Sequence, residues 1–165
     1  MLLAVMGKSG DQVLAVSFAE FIASVEPRLR QSLVAAYGPV DGRSATVDAL
    51  SWAWEHWERL GEIDNKVGYL YRVAQSSLRR TTTRSLPVEV LRQIEVVQPD
   101  VVPELMPALM RLSLQQRTVV VLVHAYGWSQ ADVATLLDVT PSTVREHLTR
   151  GLNRLRTDLG ETHVH

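Results

Sequence analysis

The sequence contains no cysteine. Disulfide bonds, thiolate zinc sites and cysteine nucleophiles are therefore excluded. Long apolar runs are also missing, and none approaches the roughly 20 residues that a membrane-spanning helix needs. The N-terminal stretch MLLAVMGKSG is apolar only for a few residues before Gly7 and lacks the positive segment of a secretion signal. These absences lead us to expect a cytoplasmic protein without membrane insertion.

Net charge is almost absent as well. The chain carries 17 Lys and Arg side chains against 18 Asp and Glu, a formal net charge of −1. Such a chain does not coat nucleic acid by bulk charge. The positive charge is instead concentrated locally, because residues 141–157 hold a single acidic side chain, Glu146, beside four arginines: Arg145, Arg150, Arg154 and Arg156.

Catalytic and metal-binding constellations are lacking too. Of the histidines, His56 and His124 fall in segments with helical periodicity, whereas His163 and His165 lie in the tail. None stands at ligand spacing from carboxylates. The sequence shows no glycine-rich phosphate loop and no nucleophile elbow. We therefore predict no metal site, no cofactor and no enzymatic activity.

Helical periodicity runs through nearly the whole chain, and alternating strand patterns are scarce. Apolar residues make up 46% and charged residues 21%, an ordinary globular composition. We predict an all-α protein with two small helical domains, residues 1–80 and 104–160, joined by a flexible linker over residues 81–103. Prolines punctuate that linker, and residues 88–98 are expected to form a short helix within it.

Local signals place the first helices. Ser17 and Glu20 have the spacing of a capping box, which predicts that a helix begins there. Pro27 predicts a break near Glu26, because proline cannot continue a helix without losing a hydrogen bond. Glycine and proline within residues 38–42 then predict a turn region.

Two further helices are expected in the first domain, over residues 46–60 and 67–80. Asp64 or Asn65 is a natural cap for the second of them. Within the first, Trp54 is expected in the core because tryptophan buries a large area. Trp52 falls on another face of that helix and is a candidate for an interface.

The C-terminal half contains a helix-turn-helix pattern. Helices are expected over residues 104–111, 114–125, 129–137 and 141–158. Within this pattern Ser129 and Thr140 stand at capping positions, and Pro141 suits the first turn of the last helix. Asp138 occupies the turn, where it would adopt a left-handed backbone. Such a motif inserts the beginning of its second helix into a DNA major groove, and Val144 and Leu148 would face the core.

The outward face of that last helix is the predicted duplex-binding surface. Hydroxyl groups suit phosphates or base edges, and an arginine can bind guanine in bidentate fashion or pair with phosphate. An alternative is a helical hairpin whose arginines are only solvated. The predicted duplex-binding residues are Ser142, Thr143, Arg145, Glu146, Thr149, Arg150 and Arg154.

Segments of both halves together resemble the extracytoplasmic-function sigma factors of RNA polymerase, of the sigma-70 type. The C-terminal segments Leu112–Gly127, Trp128–Leu137 and Val144–Arg156 resemble region 4 of that family. The N-terminal segments Phe18–Phe21, Glu26–Leu29, Trp54–Leu60 and Tyr69–Ala74 resemble region 2. The match in order and spacing extends from about residue 17 to residue 158. Region 4 alone is shared with LuxR-type regulators, and the tandem arrangement is more specific.

The resemblance implies how each half would contact promoter DNA. In the family, region 4 reads the minus-35 duplex, and region 2 captures the minus-ten element as a single strand. The loop of residues 61–66 would shape a pocket for a flipped base, and the next helix would line the strand. Tyr69 and Tyr71, with nearby arginines, supply the stacking surfaces and positive charge that unstacked bases need; alternatively, Tyr69 and Val73 are core residues. The predicted single-strand-binding residues are Asn65, Lys66, Tyr69, Arg72, Gln75, Arg79 and Arg80.

Region 2 departs from the family pattern at its polymerase-docking helix. The usual acidic, glutamine-bearing stretch is replaced by residues 44–48, in which only Asp48 matches by charge. Trp52 is an additional tryptophan, and Glu55 stands where a basic residue is common. The residues predicted to bind the polymerase are Asp48, Trp52 and Glu55.

The function implied by the resemblance is that of an alternative sigma factor. Its partners would be core RNA polymerase, promoter DNA and an anti-sigma factor. Two other interpretations remain open: a stand-alone helix-turn-helix regulator with a LuxR-like C-terminal domain, and a sigma-like protein-interaction module that does not open promoters. Binding to core polymerase would distinguish a sigma factor from a stand-alone regulator. If the protein is an interaction module, replacing Arg145 and Arg150 with alanine would leave its activity intact.

Overall fold

In the computed structural model, the described residues are 3–81 and 104–162, with side chains described for residues 17–80 and 104–160. These ranges contain helices and turns and no strand, which confirms the predicted all-α class. A first unit spans residues 3–81 and a second unit spans residues 104–162. The helices are α1 (Leu3–Tyr37), α2 (Pro39–Glu55), α3 (Trp57–Leu60), α4 (Lys66–Thr81), α5 (Leu105–Arg111), α6 (Leu114–His124), α7 (Gln130–Leu137) and α8 (Pro141–Thr162).

Helix α1 is continuous through Pro27. The predicted start at Ser17 and the predicted break near Glu26 are both wrong. Proline removes one hydrogen bond from a helix, but Val25 and Leu29 on either side of it are buried in the core. An ion pair between Arg30 Nε and Glu26 Oε1, at 2.7 Å, also spans the proline. Core packing therefore outweighs the local signal.

The turn between α1 and α2 is shorter than predicted. Gly38 has a φ of +86°, which glycine adopts without steric cost, and Pro39 then begins α2. The predicted start at residue 46 is therefore too late. Gly42 lies inside α2 rather than in a turn. A Cβ atom at this position would lie 2.6 Å from the Cα atom of Val34 in α1, so only glycine fits. Its missing side chain lets α2 cross α1 closely.

The helix predicted over residues 46–60 is interrupted at His56, which separates α2 from α3. The His56 ring stacks on Trp52 with centroids 4.2 Å apart, and its Nδ1 lies 2.9 Å from the Trp52 carbonyl oxygen. Trp54, predicted to be a core residue, is 50% exposed, and its ring centroid lies 4.8 Å from that of Phe18 in a T-shaped arrangement. After the interruption, the Trp57 ring lies edge-to-face against Phe18 and Phe21, with centroids 5.2 and 5.0 Å apart.

Helix α4 agrees with its prediction to within a residue at either end. Asn65 caps it, since its Oδ1 accepts a hydrogen bond from the backbone N–H of Gly68 at 3.0 Å. Leu70, Tyr71 and Ala74 are buried on its inner face. This face packs α4 against α1 and α2.

The helices of the second unit agree with their predicted bounds to within a residue, except that α8 extends to Thr162 instead of ending at residue 158. A capping box at Ser113 and Gln116, which the sequence analysis missed, begins α6. Val119 and Leu122 of that helix are fully buried. Gly151 lets α8 pass close to α6, because a Cβ there would lie 2.8 Å from a methyl group of Val120.

The two units pack against each other, α1 against α6 and α4 against α7. The predicted linker over residues 81–103 and the predicted helix over residues 88–98 lie outside the described residues, apart from Thr81 at the end of α4. The domain boundaries stay predictions. None of the helices in the described part of the chain combines the length and apolar character needed to cross a membrane.

Replacing Gly42 with alanine tests the close crossing of α1 and α2. The new Cβ would collide with the Val34 backbone, so the free energy of unfolding should fall by about 1–3 kcal/mol. Urea denaturation followed by circular dichroism measures the change. Gly160→Ala is the matched control, since nothing lies within 4 Å of a Cβ there, and it should gain up to about 1 kcal/mol from helix propensity. Equal effects of the two substitutions would contradict the crossing.

Candidate nucleic-acid interface

The turn between α7 and α8 has the geometry of a helix-turn-helix. Ser129 Oγ accepts a hydrogen bond from the Asp132 N–H at 3.0 Å, and Thr140 Oγ1 accepts one from the Thr143 N–H at 3.2 Å. Asp138 has φ 55° and ψ 48°, the left-handed conformation. The Val139 N–H donates to the carbonyl oxygen of Ala134 at 3.0 Å. Both predicted caps and the predicted turn conformation are confirmed.

Apolar contacts fix the angle between the two helices of the motif. Val133 and Ala134 of α7 and Val144 and Leu148 of α8 are buried, as the apolar spacing predicts for the second pair. Because alanine is small, it allows the two helix axes to approach closely. The inner face of α8 is thereby held in the core, and the opposite face is presented to solvent.

That outward face of α8 brings five of the predicted duplex-binding residues together. They line a shallow, open depression of about 340 Å³: Ser142, Arg145, Glu146, Thr149 and Arg150. Arg154 is exposed farther along the helix. Thr143 is half-buried, and its Oγ1 lies 2.9 Å from Thr140 Oγ1, so this hydroxyl belongs to the cap of the helix as well as to its exposed end.

An ion pair organises the charges on this face. Arg150 Nη2 lies 2.6 Å from Glu146 Oε1, and the side chains are 66% and 54% exposed. An exposed pair of this spacing contributes only about 0.3–0.5 kcal/mol. A phosphate or a base edge can therefore displace the carboxylate at low cost. Arg145, also exposed, extends from the same turn of the helix.

The predicted single-strand-binding residues fall on two sides of α4. Arg72, Gln75 and Arg79 line a cavity between the two units. Arg80 lies on another side of the helix, where it lines a depression of about 260 Å³ together with Asp48 and Trp52. The arginines of α4 therefore do not form one continuous surface in this arrangement.

The remaining residues of that set are held by contacts within the protein. The Asn65 amide nitrogen donates to the Thr135 carbonyl oxygen at 2.7 Å, and Lys66 Nζ donates to the Ile63 carbonyl oxygen at 2.7 Å. Tyr69 is half-buried, with its ring centroid 5.5 Å from that of Trp52. These contacts rigidify the loop between α3 and α4 and the beginning of α4.

Tyr71 does not offer the stacking surface expected of it. It is only 2% exposed, and burial raises the pKa of its phenol well above the usual range, although hydrogen bonds with the side chains of Thr118 and Gln75 oppose the shift. The sequence could not show this, because the burial depends on Thr118 from the second unit.

The predicted polymerase-binding residues lie on α2 and do not share one environment. Asp48 and Glu55 are exposed, whereas Trp52 is half-buried between His56 and Tyr69.

An exposed row of apolar side chains on α2 was missed by the sequence analysis. It consists of Val40, Val47 and Trp54, which are 42%, 64% and 50% exposed. Their seven-residue spacing is the signal that could have revealed it, since that spacing places side chains on one helix face.

Over the described residues, the protein is all-helical and presents a helix-turn-helix in its second unit. Among the described residues, no three His, Asp or Glu side chains converge in a way that could hold a metal ion. Comparison with protein families matches residues 104–155 to the family described as sigma-70, region 4. No curated protein matches the chain by sequence.

Two solved structures share the fold of the chain across both units. One is the sigma factor RpoE from Bartonella quintana, solved in complex with the anti-sigma factor NepR, at 22% identity and a TM-score of 0.58, covering 87% of this chain and 97% of that chain. The other is CnrH in complex with the cytosolic domain of CnrY, at 20% identity and a TM-score of 0.59, covering 97% and 96%. Residues 104–155 thus match sigma-70 region 4, and the chain shares the fold of these two proteins, in agreement with the resemblance seen in the sequence.

Replacing Asp138 with glycine tests the strain in the turn. The residue adopts a left-handed conformation that glycine takes without steric cost. We expect the free energy of unfolding to rise by about 0.5–1 kcal/mol. Asp138→Val should instead lower it by about 1–3 kcal/mol, because a β-branched side chain is strained there. Chemical denaturation measures both, and a loss of stability in the glycine variant would contradict the assignment.

Proposed function

We propose that this chain is an alternative sigma factor, which binds core RNA polymerase and directs promoter recognition in transcription initiation. The observation that carries the proposal is the exposed face of α8 in the segment that matches region 4. It combines arginines, hydroxyl groups and one carboxylate at the end of a helix that a helix-turn-helix holds outward. The agreement in fold over both units supports a sigma factor more than a stand-alone regulator, which would need only the second unit.

Reading of the minus-35 duplex is assigned to the first turns of α8. Arg145 can bind a guanine in bidentate fashion. Glu146 can accept from the amino group of cytosine or repel a phosphate, which adds specificity by penalising wrong sites. Arg150 and Arg154 lie farther along the helix and would contact the backbone, and such contacts set register rather than sequence.

Docking to the polymerase is assigned to the exposed face of α2. The apolar row of Val40, Val47 and Trp54 is flanked by Asp48 and Glu55. An apolar row with an acidic margin suits a helical partner that has an apolar stripe and basic flanks. Trp52 supports this surface from beneath through its contacts with His56 and Tyr69.

Two further partners belong to the proposal. Promoter DNA would be bound as a single strand along α4, and an anti-sigma factor would hold the protein inactive. RpoE and CnrH, the proteins of similar fold, were each solved with a protein partner. We further propose a regulatory role in the cytoplasm without enzymatic activity of its own.

Replacing Arg145 with alanine tests duplex reading. Loss of a base-contacting arginine should weaken binding to the cognate minus-35 duplex by about 1–3 kcal/mol and relax the preference at one base position. A promoter library transcribed with core polymerase would supply the cognate sequence, and fluorescence anisotropy would measure the affinity. Arg156→Ala makes the same charge change on an exposed residue of the same helix, and it should change affinity far less. Equal losses of affinity in the two variants would mean that Arg145 contributes only non-specific electrostatic attraction to DNA.

Reversing the charges of Asp48 and Glu55 tests the docking surface. Asp48→Lys combined with Glu55→Lys should lower the affinity for core polymerase roughly tenfold and leave the free energy of unfolding nearly unchanged, because both side chains are exposed. Glu20→Lys, at an exposed position of α1, is the control. Trp52→Ala should mainly lower stability, by about 2 kcal/mol. If the double charge reversal leaves the affinity for core polymerase unchanged, the exposed face of α2 is not the docking surface.

A further inference from the structure

One carboxylate interrupts the basic face of α8. Glu146 is the single acidic side chain of residues 141–157, where it stands among four arginines. It lines the depression of about 340 Å³ on the exposed face of the helix. Its Oε1 accepts from Arg150 Nη2 at 2.6 Å, and both side chains are more than half exposed. The surface that is assigned to duplex reading therefore carries one cation that is already neutralised.

The neighbouring hydroxyl groups are committed to bonds within the helix and its cap. Ser142 Oγ lies 2.8 Å from Thr140 Oγ1, and Thr149 Oγ1 donates to the backbone carbonyl oxygen four residues earlier at 2.9 Å. Arg150 is the cation that the structure places on Glu146. The order of the pair is favourable, because an acid four residues before a base agrees with the helix dipole. In the free protein the two charges therefore hold each other.

A DNA phosphate competes with Glu146 for Arg150. Every duplex presents phosphates, whatever its sequence. If Arg150 turns to a phosphate, the carboxylate loses its partner and stays in the negative potential of the groove without a donor in place of the guanidinium. A charged acceptor that loses its donor at an interface is costly. Contact with the backbone alone therefore gains one ion pair and gives up another, and it brings little net attraction.

The edge of cytosine offers the donor that a phosphate lacks. In the major groove, guanine presents two acceptors, thymine an acceptor and a methyl group, and adenine an acceptor beside its amino group. Cytosine alone presents an amino donor with no acceptor next to it. A carboxylate is repelled by each acceptor and accepts a hydrogen bond from the amino group. When a cytosine faces Glu146, Arg150 can turn to a phosphate without leaving an unpaired charge behind.

We propose that Glu146 makes the phosphate contact of Arg150 conditional on a cytosine in the duplex. This inference rests on the duplex-reading part of the proposed function and names the base that this part of the surface reads. On a matching site the Glu146–Arg150 pair opens, Glu146 accepts from the cytosine N4 amino group, and Arg150 binds a phosphate. On any other duplex the pair stays closed and Arg150 adds no attraction. Base reading and backbone attraction are thereby coupled through two residues that lie one helical turn apart.

The salt dependence of duplex binding tests the state of Arg150. Duplexes that the full chain selects from a random pool supply the matching site, and a scrambled duplex of equal composition is the comparison. Each phosphate that a cation neutralises contributes about −0.9 to the slope of log affinity against log salt. Arg150→Ala should reduce that slope by about one on the matching duplex and leave it unchanged on the scrambled one. An equal reduction on both duplexes contradicts the conditional contact.

Removing the charge of Glu146 tests the coupling from the other side. Glu146→Gln keeps the size of the side chain and releases Arg150, so the scrambled duplex should be bound roughly threefold to tenfold more tightly, with a salt slope that is steeper by about one. Glu20→Gln makes the same charge change at an exposed position of α1 and should change both quantities far less. If the two variants behave alike, Glu146 acts only through the net charge of the chain.

A modified base tests the hydrogen bond itself. N4-methylcytosine keeps the hydrogen atom that pairs with guanine and replaces the one that faces the major groove, whereas 5-methylcytosine leaves the amino group intact. Placed at each cytosine of the matching duplex in turn, N4-methylcytosine should lower affinity roughly fivefold to tenfold at one position, and 5-methylcytosine there should change it much less. The loss should disappear in Glu146→Ala. A matching duplex without cytosine, or a loss that persists in that variant, overturns the inference.

Transcription by the wild-type chain with core polymerase is scored independently. If the duplex tests succeed and transcription fails, the chain reads duplex DNA without acting as a sigma factor. If transcription succeeds and the salt slopes do not depend on the site, the proposed function stands and the role of Glu146 is wrong. A chain that selects no sequence from the pool contradicts both the assignment of duplex reading to α8 and the role of Glu146.

Discussion

The bond between the Arg117 guanidinium and the carbonyl oxygen of Ala36 is the contact on which the arrangement of the two units depends. Ala36 is fully buried, and its carbonyl oxygen lies in the last turn of α1, where the helix itself supplies no donor. A hydrogen bond from a charged group contributes about 1.5–3 kcal/mol, and a buried acceptor left without one costs about 1–3 kcal/mol. The same junction brings α1 against α6, which share more contacts than any other pair of helices from the two units.

The second unit was predictable because its signals are local. Capping groups at Ser129 and Thr140 act on amides only three residues away. The turn at Asp138 and the buried pair of Val144 and Leu148 follow from the same short stretch. Capping, turn chemistry and apolar spacing agree there, and consistency between such signals specifies a structure strongly. The exposed face of α8 was therefore predicted almost completely from the sequence, whereas its role in duplex reading stays a prediction.

The first unit was less predictable because distant contacts override its local signals. Pro27 indicates a break, yet the buried residues around it keep α1 continuous. Trp54 is exposed because small residues, including Ala49 and Ala53, form the buried face of α2, and Trp54 lies on another face of that helix. The contacts between the units could not be predicted at all, since Gln31 and Trp128 are 97 residues apart in the chain. Nothing in the spacing of either residue indicates its partner.

The side chain of Asn65 serves the ends of two helices at once. Its oxygen accepts a hydrogen bond from the Gly68 N–H at the beginning of α4, and its amino group donates to the Thr135 carbonyl oxygen in the last turn of α7. A helix beginning needs an acceptor and a helix end needs a donor, and an amide side chain carries both. A single residue therefore satisfies two helix termini whose partners lie in different units of the chain.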